Sequence, residues 1–419
     1  MASQHPLGLP QGAAPPAGKV GSNLEASPPG ALGAHPLGTP PQPPVAASAV
    51  EQFIRRPLNI THPTASTVAQ SSVGLAQLAA AGSLKACAKL ADRLLPAASP
   101  ADALVIRWHK INALLRLRTY RVAADELAAL GDLDAPIYSY EAHGALYPGQ
   151  RGSMVPFSLY LLRAQMPHYL NDSTNALDAL LALNAKCAAA AHAASARDEP
   201  PSVRAPNSFA HAPNCRAARI ALANLYIARR DWQLAIAELE SLAAGASGAA
   251  ADGPAGAGSA LDDALSLLGR MHLQVGNLAA AESAFGRLEC AVVGAESSAG
   301  VHVNRGLLAM AQGEYSLAHD AFNAALLLEP SSAVAANNRA VCSLHLSRIG
   351  EAIGSLEDFL RADPVGHLEP TLVANLQAMY ELHSDTVASA RRTLEQLVAL
   401  VGAEDFNLQL QAQARPGAP

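Results

Sequence analysis

The sequence has few charged residues, few aromatic residues and little cysteine. Charged residues make up 15% of the 419 and aromatic residues 4%, whereas half of the chain is apolar. With so few aromatic side chains, a core must be built chiefly from Ala and Leu, which are the strongest helix formers. The composition therefore predicts an all-α protein whose 30 glycines and 29 prolines lie mostly between its helices.

No run of basic residues occurs anywhere in the chain. The net charge is −6, and adjacent arginines occur only as isolated pairs such as Arg55–Arg56, Arg229–Arg230 and Arg391–Arg392. A surface that follows the phosphates of a nucleic acid needs a basic stripe. We therefore expect no nucleic-acid partner.

Cysteine pairs and long apolar runs are also missing. The five cysteines are an odd number without a C-x-x-C pair, which predicts neither a disulfide framework nor a zinc site. The longest Ala/Leu-rich stretch, 176–196, is interrupted by Asn184, Lys186 and His192, so we expect no membrane span. The first residues lack the apolar core of a signal peptide, and we expect a cytoplasmic protein.

The motifs of common catalytic sites are absent from the sequence. There is no H-E-x-x-H, no G-x-S-x-G and no strand followed by G-x-G-x-x-G, and none of the 14 histidines has another four residues away. We therefore expect a protein that is not an enzyme, with no catalytic residue, no bound metal and no cofactor.

Small and apolar residues recur with a period of 34 to 37 residues. In one copy, Gly306 precedes a turn and Ala318, Phe322 and Pro330 follow it, as in two amphipathic helices joined by a tight turn. This is the tetratricopeptide (TPR) pattern. Equivalent positions in the neighbouring copies are Gly269, Ala281 and Phe285 before it, and Ala352, Leu356 and Pro364 after it.

The repeats predict an all-α solenoid of about seven helix pairs plus a C-terminal cap over residues 68–410. They are clearest over 216–364. Residues 1–60 are rich in Pro, Gly and Ala, which predicts a disordered N-terminal tail. The solenoid is interrupted by a non-repeat segment at 131–157 and by two predicted flexible insertions, 197–214 and 245–260.

The non-repeat segment carries a resemblance to a known family. It reads GDLDAPIYSYEAHGALYPGQRGSMVPF, and the chain further contains Asn337–Asn338 and the run from Met379 to Leu382. At these positions the sequence resembles the subunit 12 family of the TRAPP (trafficking protein particle) complex, over roughly 70–410. Because residues 147–157 are no part of the TPR consensus, this resemblance is specific.

The resemblance implies a non-catalytic scaffold subunit of a vesicle-tethering complex in endoplasmic-reticulum-to-Golgi transport and autophagy. The implied partners are other TRAPP subunits, above all the large non-core ones. A Rab GTPase would be contacted only indirectly, through the complex. The implied location is the cytoplasm, at the periphery of ER–Golgi intermediate and Golgi membranes.

Side chains of the non-repeat segment are candidate partner-binding residues, because aromatic anchors commonly dominate protein interfaces. The alternative is that they pack against the solenoid. The candidates are Tyr138, Tyr140, Tyr147, Arg151, Met154 and Phe157.

A second hypothesis is a TPR co-chaperone-type adaptor that binds a peptide C-terminus. Asn304 and Asn338 lie 34 residues apart, at the same repeat position, and resemble part of the carboxylate-binding site of such modules. The segment 262–345, however, contains no lysine to match that site. The other interpretation of the two asparagines is a ladder of contacts between stacked helices.

Overall fold

The fold is a stack of helical hairpins. The computed structural model describes residues 45–55, 63–196, 207–249, 257–292, 298–383 and 387–406. Within these ranges it contains 17 α-helices and no β-strand beyond one isolated antiparallel bridge between Ser139 and Ser153. The predicted all-α class is confirmed.

The helices are α1 (Val45–Ile54), α2 (Ser72–Ala80), α3 (Leu84–Leu94), α4 (Pro100–Arg116), α5 (Tyr120–Ala128), α6 (Phe157–Tyr169), α7 (Ser173–Ala196), α8 (Ala212–Arg229), α9 (Trp232–Ala249), α10 (Ala257–Gln274), α11 (Leu278–Ala291), α12 (Ala299–Gln312), α13 (Tyr315–Leu328), α14 (Ala333–His345), α15 (Ile349–Ala362), α16 (Pro370–His383) and α17 (Val387–Val401). From α2 onward they form seven hairpins, α2–α3 to α14–α15, and a final pair, α16–α17. Each hairpin packs on the next one, so the predicted TPR solenoid is confirmed.

A single left-handed residue forms the turn inside each of the seven hairpins. In the sixth it is Gly313, with a φ of 83°, and Glu314 N donates to Ala309 O at 2.9 Å to close the end of α12. A left-handed residue lets the next N–H groups bond to the last carbonyl groups of the helix, and glycine adopts this conformation without strain. The seven turn residues are Gly82, Arg118, Asn171, Arg230, Gly276, Gly313 and Ser347.

The C-terminal pair closes the core at that end of the array. Leu394, Leu397 and Val401 of α17 are buried in one apolar cluster with residues of α14, α15 and α16. Burying this face of α17 shields the last hairpin from water, as the terminal unit of a repeat array must. The predicted C-terminal cap is thus present.

The predicted N-terminal tail is wrong for residues 45–54, which form α1. The helix packs on α15 and α17 at the opposite end of the chain, where Val50 and Ile54 are buried and Arg361 Nε donates to Phe53 O at 2.8 Å. The segment forms a helix instead of a tail because its apolar face is buried against helices that are distant in sequence. Residues 1–44 and 56–62 lie outside the described residues.

The two predicted insertions lie partly outside the described residues, at 197–206 and 250–256. On either side of the second, α9 continues to Ala249 and α10 begins at Ala257. After the first, Phe209 packs edge-to-face against Tyr160, with 4.8 Å between ring centroids, before α8 begins.

The two ends of the array are in contact. Glu404 N donates to Gly82 O at 3.1 Å, and Lys85 N donates to the Glu404 carboxylate at 2.6 Å. Arg116 Nε forms an ion pair with Asp405 at 2.7 Å. Residues 402–406, which we call the closing segment, therefore join the C-terminal cap to the first two hairpins.

Candidate partner-binding surfaces

The non-repeat segment is held as a compact loop by backbone hydrogen bonds. Met154 N donates to Tyr138 O at 2.8 Å, and Tyr140 N donates to Gly152 O at 2.9 Å. Residues 138–140 therefore run antiparallel to residues 152–154. These two hydrogen bonds hold both ends of the intervening loop. The segment is thus ordered although its sequence has no helical spacing of apolar residues.

The three tyrosines of the loop fasten it to the second hairpin. The Tyr147 hydroxyl accepts a hydrogen bond from Ala101 N at 3.2 Å, in the first turn of α4 where backbone N–H groups lack helical partners. Tyr138 donates its hydroxyl to Leu130 O at 2.7 Å. Tyr140 packs edge-to-face on Tyr147, with 5.2 Å between ring centroids. All three rings are half-buried.

Two of the candidate residues are almost fully buried. Met154 is 2% exposed and packs with Val155 in the apolar cluster over α4 and α5. Phe157 begins α6, is 6% exposed and packs edge-to-face on Phe209. In this conformation neither side chain has an exposed face to offer to a partner.

The solvent side of the loop carries apolar residues that the sequence did not single out. Ile137 and Leu146 are each 63% exposed, and Arg151 of the same loop is exposed as well. We call Ile137, Leu146 and Arg151 the insertion face. They lie among prolines and glycines, so a search for apolar residues at helical or strand spacing does not find them. The signal that could have found them is a large apolar side chain within a turn-rich segment.

A charged cluster anchors the start of the loop to α7. Lys186 Nζ contacts the Asp134 carboxylate at 2.6 Å and lies 4.2 Å from the ring centroid of Phe209. The hydrogen bond from Lys186 lowers the pKa of Asp134. Tyr160 donates its hydroxyl to the same carboxylate at 2.9 Å, and burial raises the pKa of this tyrosine.

The two candidate asparagines lie on the first helices of successive hairpins, α12 and α14. Asn304 is 2% exposed, accepts from Arg270 Nε at 3.1 Å and donates to Ser266 Oγ at 3.0 Å, so that it joins α12 to α10. Burial lowers the pKa of Arg270. Asn338 is half-buried, and its neighbour Asn337 accepts a hydrogen bond from Asn375 Nδ2 of α16 at 2.9 Å.

The described part of the chain offers no group of three His, Cys, Asp or Glu side chains that could hold a metal ion. Burial raises the pKa of the Cys87 thiol to about 11 and that of Cys342 to about 12, so both are protonated at neutral pH and poor nucleophiles. None of the helices in the described ranges has the length and apolar character needed to cross a bilayer.

Among solved structures, the chain is similar in fold to TPR proteins of low sequence identity. No model of a protein family matches it. A tetratricopeptide repeat protein from Parabacteroides merdae is 13% identical, with 74% of this chain and 99% of that chain covered and a TM-score of 0.39. A TPR protein of Thermus thermophilus is 18% identical, with 53% and 98% covered and a TM-score of 0.34. These scores are too low to support an argument.

Two curated relatives match most of the chain. Over 368 residues, 82% of this chain, it is 30% identical to "Trafficking protein particle complex subunit 12" of Mus musculus and 28% identical to that of Homo sapiens. The match covers 45% of the mouse protein and 49% of the human one, so the chain spans about half the length of the curated relatives it matches. The resemblance read from the sequence is therefore confirmed: over 82% of its length, the chain is homologous to subunit 12 of the trafficking protein particle complex.

Proposed function

We propose that the chain is a non-catalytic scaffold subunit of a TRAPP vesicle-tethering complex, acting in ER-to-Golgi transport and autophagy. The observation that carries this proposal is the homology to subunit 12 over 82% of the chain. Its contacts would be with other subunits, and through them with a Rab GTPase. Its place would be the cytoplasm and the surface of ER–Golgi intermediate and Golgi membranes.

The architecture supports a scaffold. A TPR array presents long, continuous surfaces that hold helices or extended segments of other proteins. The loop at 131–157 adds a rigid feature to this array, because backbone bonds and three anchored tyrosines fix it. The insertion face exposes two large apolar side chains on this rigid support.

We infer that the insertion face binds another subunit, whereas Met154 and Phe157 stabilise the loop. The three tyrosines serve the same interface by holding the loop in place. From the sequence alone, Met154, Phe157 and the tyrosines are equivalent candidates for anchors. Their burial supports a packing role for all five, whereas the exposure of Ile137, Leu146 and Arg151 supports a contact role, and this division can be tested.

The test compares two surface variants of the tagged chain expressed in its own cells. Replacing Ile137, Leu146 and Arg151 with Ser should reduce co-purified TRAPP subunits at least tenfold, because hot-spot losses of about 2 kcal/mol have this effect, while the thermal midpoint stays unchanged. The control replaces Val73, Leu234 and Leu382, which are 60%, 53% and 68% exposed elsewhere on the array, with Ser. Unchanged recovery with the first variant would dismiss the insertion face as the interface.

The co-chaperone hypothesis has less support. The amide of Asn304 is already bonded to Ser266 and Arg270, and Asn338 has no lysine near it in the repeat. A peptide ending in Glu-Glu-Val-Asp should show no binding at ~100 μM, which is weak even for one peptide anchor. Tighter binding that Asn304→Ala abolishes would restore the co-chaperone hypothesis.

A further inference from the structure

Helix α1 lies in a groove at the far end of the array. Its main contacts are with α15 and α17, although the next helix in sequence is α2. Val50 is fully buried and Ile54 is 4% exposed, whereas Glu51 and Gln52 are exposed. The helix thus turns an apolar side to the groove and a polar side to water, which is how an amphipathic helix binds to a protein surface.

The floor of this groove is made of apolar side chains of α15 and α17. They share one buried cluster with Val50 and Ile54, and without α1 part of this apolar surface would meet water. We call these floor residues, together with Arg361 at the end of the groove, the α1 groove. The floor residues include Leu356, Leu360, Leu394, Leu397 and Val401.

Arg361 of α15 binds the C-terminal end of the helix in the groove. Glu357 and Asp358 hold its two terminal amino groups at 2.6 and 2.8 Å. Its Nε donates to Phe53 O at 2.8 Å, and its guanidinium carbon lies 4.9 Å from the centre of the Phe53 ring. The last carbonyl groups of a helix lack intrahelical partners, and a cation is favourable at that end. Arg361 is therefore positioned to receive the end of a helix that carries an aromatic residue there.

The packing of α1 allows it to leave the groove while the array stays folded. Ten residues are too few for a stable helix in water, so α1 is helical because it is packed. Each helix from α3 to α16 packs on both the preceding and the following helix, whereas α1 has no such pair of neighbours. Release of α1 therefore breaks fewer contacts than the opening of a hairpin, and elements of this kind open first.

We propose that the α1 groove binds an amphipathic helix of a partner protein, and that α1 occupies the groove until this helix displaces it. The partner helix has the chemistry of α1: apolar side chains at i, i+3 and i+4, like Val50, Phe53 and Ile54, with the aromatic one over Arg361. α1 itself identifies this class of occupant, because it shows which kind of helix the groove accepts. Since α1 is attached to the array, its effective concentration is high, and the partner helix has to bind more tightly than α1 does.

The test uses the full chain and a fluorescent peptide with the sequence of residues 45–55, followed by anisotropy. The unaltered chain should bind the peptide weakly, because its own α1 competes. Val50→Ser with Ile54→Ser weakens the attached α1 and leaves the groove intact, so the peptide affinity should rise at least tenfold. Glu51→Ser with Gln52→Ser, on the exposed side of α1, should leave the affinity unchanged. A peptide with serine at the positions of Val50 and Ile54 should not bind.

Hydrogen exchange provides a second measurement, made on the unaltered chain, in case the Val50→Ser, Ile54→Ser variant does not fold. The amides of α1 should exchange at least tenfold faster than those of α15, because α1 opens without the hairpins. Equal exchange of α1 and α15 would overturn the proposal. A folded serine variant that does not bind the peptide would overturn it as well.

Sedimentation of the chain alone tests a different occupant, the α1 helix of a second copy. A dimer that the serine variant dissociates would mean that two copies exchange their α1 helices, and this would replace the proposed partner. The inference rests on the proposed function only in that a scaffold subunit has partners. Because no TRAPP subunit is used, its failure is distinguishable from failure of the proposed function.

Discussion

Two glycines in first helices of the array lie directly against aromatic rings of the second helices. A Cβ atom added at Gly306 would lie 2.7 Å from the ring of Phe322, and one added at Gly269 would lie 2.2 Å from the ring of Phe285. Both rings are buried in the hairpin core. Close backbone approach, rather than helix propensity, thus determines the residue at these positions.

We predict that Gly306→Ala destabilises the chain by about 1–3 kcal/mol, the usual cost of overpacking a core. The matched control is Gly286→Ala on α11, where an added Cβ meets nothing within 4 Å. Because alanine favours a helix by about 0.5–1 kcal/mol over glycine, the control should stabilise. Urea unfolding measures both, and a shift in the same direction for both variants would contradict the close-packing explanation.

The pKa of Asp134 gives a prediction about pH. Its folded pKa is lowered, chiefly by the hydrogen bond from Lys186, so its contribution to stability is present above its unfolded pKa of about 3.9. That contribution is lost as the pH falls through the folded pKa. Asp134→Asn should therefore lower the thermal midpoint at pH 6 but lose this effect as the pH is brought toward 3. A difference that persists at low pH would mean that the carboxylate charge is not involved.

At the scale of elements, glycine makes the turn visible in the sequence of some hairpins. Gly276 and Gly313 mark the fifth and sixth hairpins, inside the stretch where the repeats are clearest. Arg230 and Ser347 form the turns of the fourth and seventh hairpins in the same left-handed conformation, and there the small and apolar positions of the helices, not the turn residue, carried the prediction. At Arg118 and Asn171 residue type does not reveal the turn, although the fold is the same.

Helix α1 was not predictable because its packing partners are about 300 residues away. Its ten residues lie beside a Pro-rich region, and composition alone favoured a tail. The buried face exists only once α15 and α17 have formed. Long-range packing thus overrides the local composition.

We predict that Ile54→Ala, which truncates a side chain only 4% exposed, destabilises the C-terminal cap by about 2–5 kcal/mol. Hydrogen exchange of α17 should accelerate as α1 separates from it. Gln52→Ala, on the exposed side of the same helix, should leave exchange unchanged. Equal protection of α17 in both variants would show that α1 does not support the cap.

At the scale of the whole molecule, the closing segment turns an open array into one whose ends meet. The Arg116–Asp405 ion pair joins residues 289 apart in sequence, and Glu404 reaches Lys85 across 319 residues. Such contacts leave no periodic pattern, so the sequence could not reveal them. We expect this closure to limit how far the array can flex.

Charge reversal tests this closure. Arg116→Glu or Asp405→Arg alone places like charges at the contact, and we predict that the distance between spin labels on α3 and α17 then increases and broadens. The double variant should restore the original distance, because it restores an ion pair. Arg348→Glu, which alters only an exposed pair with Glu351, is the control. Distances that are identical in all four variants would show that the ion pair does not hold the ends together.

For the candidate surfaces, the sequence located the important segment but not the roles of its residues. The segment at 131–157 stood out because it breaks the repeat. Which residues face solvent depends on the ladder between 138–140 and 152–154, a contact that residue types do not encode. Met154 therefore lies inside, and Ile137 lies outside.

The central claim is that this chain is a stoichiometric scaffold subunit of a TRAPP complex. The measurement that tests it most directly is affinity purification of the tagged chain from its own cells at moderate salt, followed by quantitative mass spectrometry. We predict that the other TRAPP subunits are recovered in near-equal molar amounts with the chain. Recovery of the chain alone, or with chaperones only, would contradict the claim.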